Sequence, residues 1–323
     1  MAGANLPAKM YKKTSPTVTR LSFEFAGAGT QFIDIAMALS AVNRKFYRQG
    51  VYYYVNSVEI YNNETGVVDL HTVPDNWITK NAHQRGFKIF QQMNALVGPP
   101  LGAMKPKYHD FKVYLSDLHR QTGSTLPSLH TINAGSQTQL VDDWVYSQFI
   151  SADSDGDLEF DPVTNHATRV NQEADNFYCH LIGPHNGTPD NWQSIGLIKS
   201  YAETRGTVNS ETPEDANVDI TDPLLNLFDM STEEQVNDIT QNLLDDNDQP
   251  PYNFNQYVGE ATTSMQHVAR IGTEVGVGRV GRASGFCAPF GLICVDPQDL
   301  STAYRVVLNL AVGSYHGIYA ERA

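Results

Sequence analysis

Apolar residues recur along this chain mostly at every second position, in short runs cut by turn residues. Leu21, Phe23 and Phe25 alternate with polar neighbours until Ala26-Gly27-Ala28-Gly29 stops them, the pattern of a half-buried strand. Ile33, Ile35, Met37 and Leu39 alternate in the same way, while Ala36, Ala38 and Ala41 leave a helix equally open. The run Val51 to Tyr61 is dense in β-branched and aromatic residues and ends at Asn62-Asn63-Glu64-Thr65-Gly66. Strand character resumes over Val67 to Val73, which predicts a hairpin with a loop of about four or five residues.

From Asn76 the period lengthens. Trp77, Ala82, Phe87, Phe90, Met93, Leu96 and Val97 recur every three to four residues before Gly98-Pro99-Pro100, predicting an amphipathic helix over about 76–97. Phe111, Val113 and Leu115 return to period two, and Val141 to Ile150 supplies another apolar run. Further strands are expected over Phe177 to Ile182, Ile195 to Tyr201, Phe290 to Val295, Arg305 to Val312 and Ser314 to Tyr319. A second helix is expected at about 232–244: Ser231 and Glu234 are spaced as a capping box, and Val236, Ile239, Leu243 and Leu244 share a face. Pro74-Asp75-Asn76-Trp77 returns as Pro189-Asp190-Asn191-Trp192, a weak sign of two related halves.

Charge changes the picture in one place. Between Arg205 and Arg270 there is no Lys or Arg but there are thirteen acids, so this stretch carries nearly all of the formal net charge of −14. The remaining chain is almost neutral, and only 18% of all residues are charged against about 25% in an average soluble domain. Such a body, rich in Asn, Ser, Thr, Gly and aromatics, suits contact with other proteins better than with nucleic acid or lipid headgroups. Lys9, Lys12, Lys13 and Arg20 make the start mildly basic, far short of a tract that would neutralise many phosphates. The start has no apolar run of a secretory signal, and no stretch approaches the roughly 20 apolar residues of a membrane helix.

Candidate chemistry is sparse. Asp153, Asp155, Asp157 and Glu159 alternate like the first ligands of a calcium loop, but the sixth and twelfth positions hold Leu158 and Thr164 instead of Gly and Glu. They are read as a solvated acidic turn, with an opportunistic Ca²⁺ site as the sharper alternative. Gly276-Val277-Gly278-Arg279-Val280-Gly281 spells a dinucleotide fingerprint, but Gly285 and Pro289 stand where its helix would begin, so a glycine-rich loop between strands is the expectation. Cys179, His180 and His185 cluster without a fourth zinc ligand at defined spacing, and Cys179, Cys287 and Cys294 read as buried thiols. No convergent nucleophile, base or metal set points to an enzyme, and no cofactor is expected.

The order of features, FIDIAMALSAVNRKFYRQGVYYYVNSVEIY, then VPDNWITKNAHQRGFKIFQQMNAL, then GFCAPFGLICVD before a last pair of strands, resembles the double jelly-roll major capsid proteins of tailless icosahedral viruses, of the FLiP-like bacterial single-stranded DNA type. The resemblance implies a mainly β chain: an arm at 1–20, a first jelly roll at 21–165, and a second at 166–323 with an acidic insertion at about 206–260. It also implies trimeric capsomers in a virion shell, made in the host cytoplasm, with neighbouring capsomers and minor capsid or vertex proteins as partners and an internal membrane beneath. No strong direct binding to nucleic acid is expected. Two other readings stand beside it: a single jelly-roll capsid protein with a large projecting insertion, and a carbohydrate-binding β-sandwich or spike module using the aromatic loops around Trp77, Trp144 and Trp192.

Overall fold

The computed structural model describes residues 17–25, 27–101, 108–122, 144–152, 157–161, 166–170, 174–188, 191–208, 252, 256–273 and 280–322. The protein is mainly β. Its N-terminal part gives β1 (Arg20–Phe25), β2 (Gln31–Asp34), α1 (Ile35–Asn43), β3 (Val51–Tyr61) and β4 (Gly66–Thr72). The middle gives α2 (Trp77–Leu101), β5 (Tyr114–Ser116), α3 (Asp117–Gln121), β6 (Gln148–Ala152), β7 (Asp157–Asp161) and β8 (His166–Val170). It continues with β9 (Ala174–Ile182), β10 (Asn186–Thr188), β11 (Asn191–Gly196) and α4 (Leu197–Val208). The C-terminal part gives β12 (Gln266–Thr273), β13 (Val280–Ala288), β14 (Leu292–Gln298), β15 (Tyr304–Leu310), β16 (Val312–Tyr315) and β17 (Ala320–Arg322).

The first four strands pair with the C-terminal ones in reverse order. β4 pairs with β12, β3 with β13, β2 with β14 and β1 with β15, every pair antiparallel. That is a long two-stranded ribbon, and rolling it brings β15 against β3 and β14 against β4. Two four-stranded sheets result, ordered β1-β15-β3-β13 and β12-β4-β14-β2, with β17 continuing the first along the start of β3. This is the strand order of one jelly roll. The middle segment, 73–265, enters at the tip of the ribbon between β4 and β12, where it interrupts no ladder.

The period-two pattern of the sequence explains the sandwich. Leu21, Phe23 and Phe25 of β1, Val58 and Ile60 of β3, Val68 and Leu70 of β4, and Val306 and Leu308 of β15 all meet in its interior. Within the second sheet β14 is buried on both sides: Ile293 and Val295 face the interior, whereas Leu292 and Cys294 face a second core shared with the middle segment. That double burial accounts for an unbroken apolar run where alternation would otherwise be expected.

The second core also takes Phe32, Ile78, Ala82, Phe90, Phe111, Leu181, Leu197, Ile198 and Phe290, so α2 and α4 cover the outer face of the second sheet. The same segment forms a mixed sheet of order β10-β11-β9-β5, in which β9 also pairs with β6 and runs parallel to both β5 and β11. A buried polar joint welds this segment to the roll. Gln49 exchanges two hydrogen bonds with the Val113 backbone, at 2.6 and 2.9 Å, and its Nε2 also donates to Asp34 Oδ2 at 3.0 Å. The Tyr146 hydroxyl donates to the same carboxylate oxygen at 3.3 Å, while Asp34 Oδ1 accepts from Met37 N and so caps α1.

Several expectations are corrected. Two sequential barrels divided near residue 165 are not confirmed: among the described residues 20–72 pairs with 266–322 in two curled antiparallel sheets. β3 and β4 lie in different sheets, so 62–65 is a crossing between sheets and not a hairpin loop. Ile195 to Tyr201 is the end of β11 followed by the first turn of α4. The ambiguous run at 33–39 divides at Asp34 into β2 and α1. The helix expected over 76–97 is present and runs on to Leu101. Pro289-Phe290-Gly291 is a 3-10 turn before β14, and the last strand expectation becomes β16, a turn and β17. Asn76-Trp77 opens a helix whereas Asn191-Trp192 opens a strand, so the tetrapeptide echo does not mark equivalent halves. The helix expected at 232–244 and most of the acidic stretch lie outside the described residues.

One glycine fixes the β11–α4 junction. A Cβ on Gly196 would sit 2.2 Å from the Gly183 carbonyl oxygen, whose own N–H is bonded to Gly259 O at 2.8 Å. Gly196→Ala is therefore expected to cost about 1–3 kcal/mol, read as a lowered denaturation midpoint; an unchanged midpoint would refute the close approach.

Candidate functional site

The residues singled out by sequence do not come together as a catalytic or metal site. Asp153 and Asp155 lie outside the described residues, while Asp157 and Glu159 fall on β7 opposite Val170 and Thr168 of β8. Among the described residues no group of three or more His, Cys, Asp or Glu side chains is placed to hold a metal ion. Gly276 to Arg279 also lie outside them, between the end of β12 and the start of β13.

The Cys179–His180–His185 group is dispersed by the strand on which it starts. Cys179 turns into the second core, and burial pushes its thiol well above the usual range. His180 turns the other way: Nε2 donates to Pro184 O at 3.0 Å and Nδ1 accepts from the Ser194 hydroxyl at 2.6 Å. His185 accepts the Gly196 N–H on Nδ1 at 3.0 Å and meets Glu203 Oε2 through Nε2 at 3.1 Å. All three cysteines are free, Cys179 and Cys294 buried and Cys287 partly so.

The tryptophans occupy three separate surroundings. Trp77 lies edge-on to Tyr201 and donates from Nε1 to the Tyr252 hydroxyl at 3.0 Å. Trp144 carries the Lys112 ammonium 4.6 Å from its ring centroid and lies beside Phe46. Trp192 meets the edge of His185.

What the roll does offer is a polar outer face on its first sheet. Alternation that sends Leu21, Phe23, Val58, Ile60, Val306 and Leu308 inward sends Ser22, Glu24, Ser57, Glu59, Arg305, Asn309, Arg282 and Ser284 outward. Glu59, near the end of the inner strand β3, draws in one arginine from each edge strand, Arg20 at 3.1 Å and Arg282 at 3.7 Å, with the Tyr61 hydroxyl donating to it at 2.8 Å. Asn309 donates to Ser57 Oγ at 3.0 Å. Comparisons with protein-family models, curated proteins and solved structures match nothing. The face is polar, nearly balanced in charge and ordered by its own ion pairs and hydrogen bonds, a composition compatible with contact with another protein.

Sequence reading found β1, β3 and β15 of this face but not β13, whose glycine-rich start reads as a loop, nor the face itself. Its residues come from both ends of the chain, and only the pairing of β15 with β1 and β3, and of β3 with β13, puts them side by side. The same holds for Asp34, Gln49 and Tyr146, whose one sequence signal is an acid inside the apolar run FIDIAMAL.

Proposed function

We propose that this chain is a structural subunit that works by assembly: a capsid protein of a tailless icosahedral virus, with one jelly roll as its shell-forming body and the 73–265 segment as a large domain carried on it. The observation that carries the reading is the strand order, a two-stranded ribbon of four strand pairs rolled so that its free edges are reduced to β1, β2, β12 and β13. It is supported by the near-neutral outer face and by the capsid-like sequence features. The architecture proposed is the single jelly roll with an insertion, in preference to two barrels, because the strands pair across the middle of the chain. Partners in this reading are neighbouring copies in capsomers, together with minor capsid or vertex proteins, and the location is the virion.

Jelly rolls also serve other functions, so assembly is the property to measure. Full-length protein examined by size exclusion with light scattering and by negative-stain microscopy is expected to form trimers, larger capsomers or shells. Protein that stays monomeric at high concentration would defeat the proposal. Ser284→Arg, at an exposed position of edge strand β13, is expected to reduce the assembled fraction while leaving the circular dichroism unchanged. Undiminished assembly would remove this face from the contact.

A further inference from the structure

A second feature stands apart from the outer face. Where the chain leaves the roll after β4 and where it returns into β12, two loops enclose an open cleft of about 510 Å³, within the range of small-molecule sites. We propose that this cleft binds a neutral saccharide. The proposal does not rest on the assembly reading, since every residue it uses belongs to one chain.

The two walls are tied to each other and supply polar groups. Asp75 and Asn76 come from the outgoing loop, and Gln256, Ser264 and Gln266 from the returning one. Gln266 Oε1 accepts from Asp75 N at 3.3 Å, which closes one end. Asn76 Oδ1 accepts from Thr79 N at 2.8 Å, which holds the side chain at the start of α2 and leaves its Nδ2 as a donor. Gln256 is exposed, and Asp75 is about half exposed with Lys80 3.3 Å from its carboxylate.

The third component is aromatic. Tyr257 lines the cleft and stands edge-on to Tyr201 at 6.2 Å, and Tyr201 stands edge-on to Trp77 at 6.5 Å. Trp77 in turn holds the hydroxyl of Tyr252, an exposed ring. The supporting rings bury themselves against the second core, so Tyr257 is backed by a packed layer.

These features select a ligand class. Among the described residues lining the cleft there is no Lys or Arg, and the nearest ammonium, Lys80, is 3.3 Å from the Asp75 carboxylate, so no unpaired cation is offered to a phosphate, sulfate or carboxylate group. Amides, a hydroxyl and a paired carboxylate beside a fixed aromatic ring match a molecule with apolar C–H faces and a rim of hydroxyl groups. The tetrapeptide Pro74-Asp75-Asn76-Trp77 gains a role here, because its first three residues form one wall and its tryptophan supports the other.

The test uses the full-length protein on a printed panel of neutral, sialylated and sulfated glycans, followed by saturation-transfer NMR with the free sugars that score. Binding of neutral glycans is expected, weakened roughly tenfold by Tyr257→Ala and measurably by Gln256→Ala. Gln256 is exposed, so its variant melts with the parent and reports on the cleft even if Tyr257→Ala is destabilised. No neutral glycan bound, preference for the anionic glycans, or binding unaltered by both substitutions would each overturn the proposal.

Discussion

Lowering the pH from 7 to 4 is expected to remove roughly 6 kcal/mol of folding stability, seen as a falling melting temperature. Three histidines are held neutral in the interior. His83 lies against Phe290 with ring centroids 4.3 Å apart and no hydrogen-bond partner for Nε2, and burial depresses its pKa to about 4. His119 stacks on Phe32 and accepts the Leu115 N–H, and burial holds it at about 3. His180, between Ser194 and Pro184, is held at about 4, again mainly by burial.

Each of these folded-state values lies below the unfolded one of about 6.5. The unfolded chain therefore takes up protons first as pH falls, and stability present above pH 6.5 is lost on the way down to each folded value. At about 1.4 kcal/mol per pH unit the loss by pH 4 is about 3 kcal/mol per histidine. Asp34 works in the opposite sense. Burial raises it from 3.8 to about 6, so its protonation between those values favours the fold by about 3 kcal/mol. The remainder is comparable with the 5–15 kcal/mol that keeps a typical domain folded. Thermal melts at pH 7, 6, 5 and 4 are expected to show a steep fall below pH 6.5, with a shallower fall in His83→Leu. A melting temperature that is flat or rises over this interval would refute the account.

Phe290→Ala is expected to cost about 3–5 kcal/mol, the range for truncating a fully buried aromatic. Phe290 has no exposed surface and touches both Tyr52, at 5.7 Å between centroids, and His83. Its φ of 58° is a left-handed value that few residues other than glycine adopt readily. The backbone strain is tolerated because the turn drives the ring from the roll into the second core. Phe290→Leu, keeping most of the volume, should lose much less than alanine. Urea denaturation measures both, and a loss under about 1 kcal/mol for the alanine variant would show that the ring is not the joint described.

How much of this was legible in the sequence depended on the range of the interaction responsible. β1, β3 and β4 could be read because alternation is a local consequence of one buried face. The hairpin expected between β3 and β4 failed on a different ground. Asn62 folds onto Glu64 through Nδ2 to its carbonyl at 2.9 Å, and the Glu64 carboxylate clamps the distant N–H groups of Ser301 and Thr302. The residues announce a turn but not the sheet into which it leads. Ile195 to Tyr201 misled because Leu197, Ile198 and Ala202 are buried on one helical face, and so few apolar positions fit either period. The proposed cleft had no sequence signal as a whole, since its walls stand about 180 residues apart. Strand order was also out of reach, because pairing β1 with β15 requires both ends of the chain at once.

Entry of the middle segment at the ribbon's tip has a practical corollary for anyone re-engineering this scaffold. Topologically the cargo could be exchanged for a two-residue bend without rethreading a strand. Physically it could not, since excision would strip Phe32, Leu292 and Cys294 bare and leave a greasy sheet open to the solvent. A replacement module must bring its own oily underside, or those three positions must be recoded to polar residues in the same step.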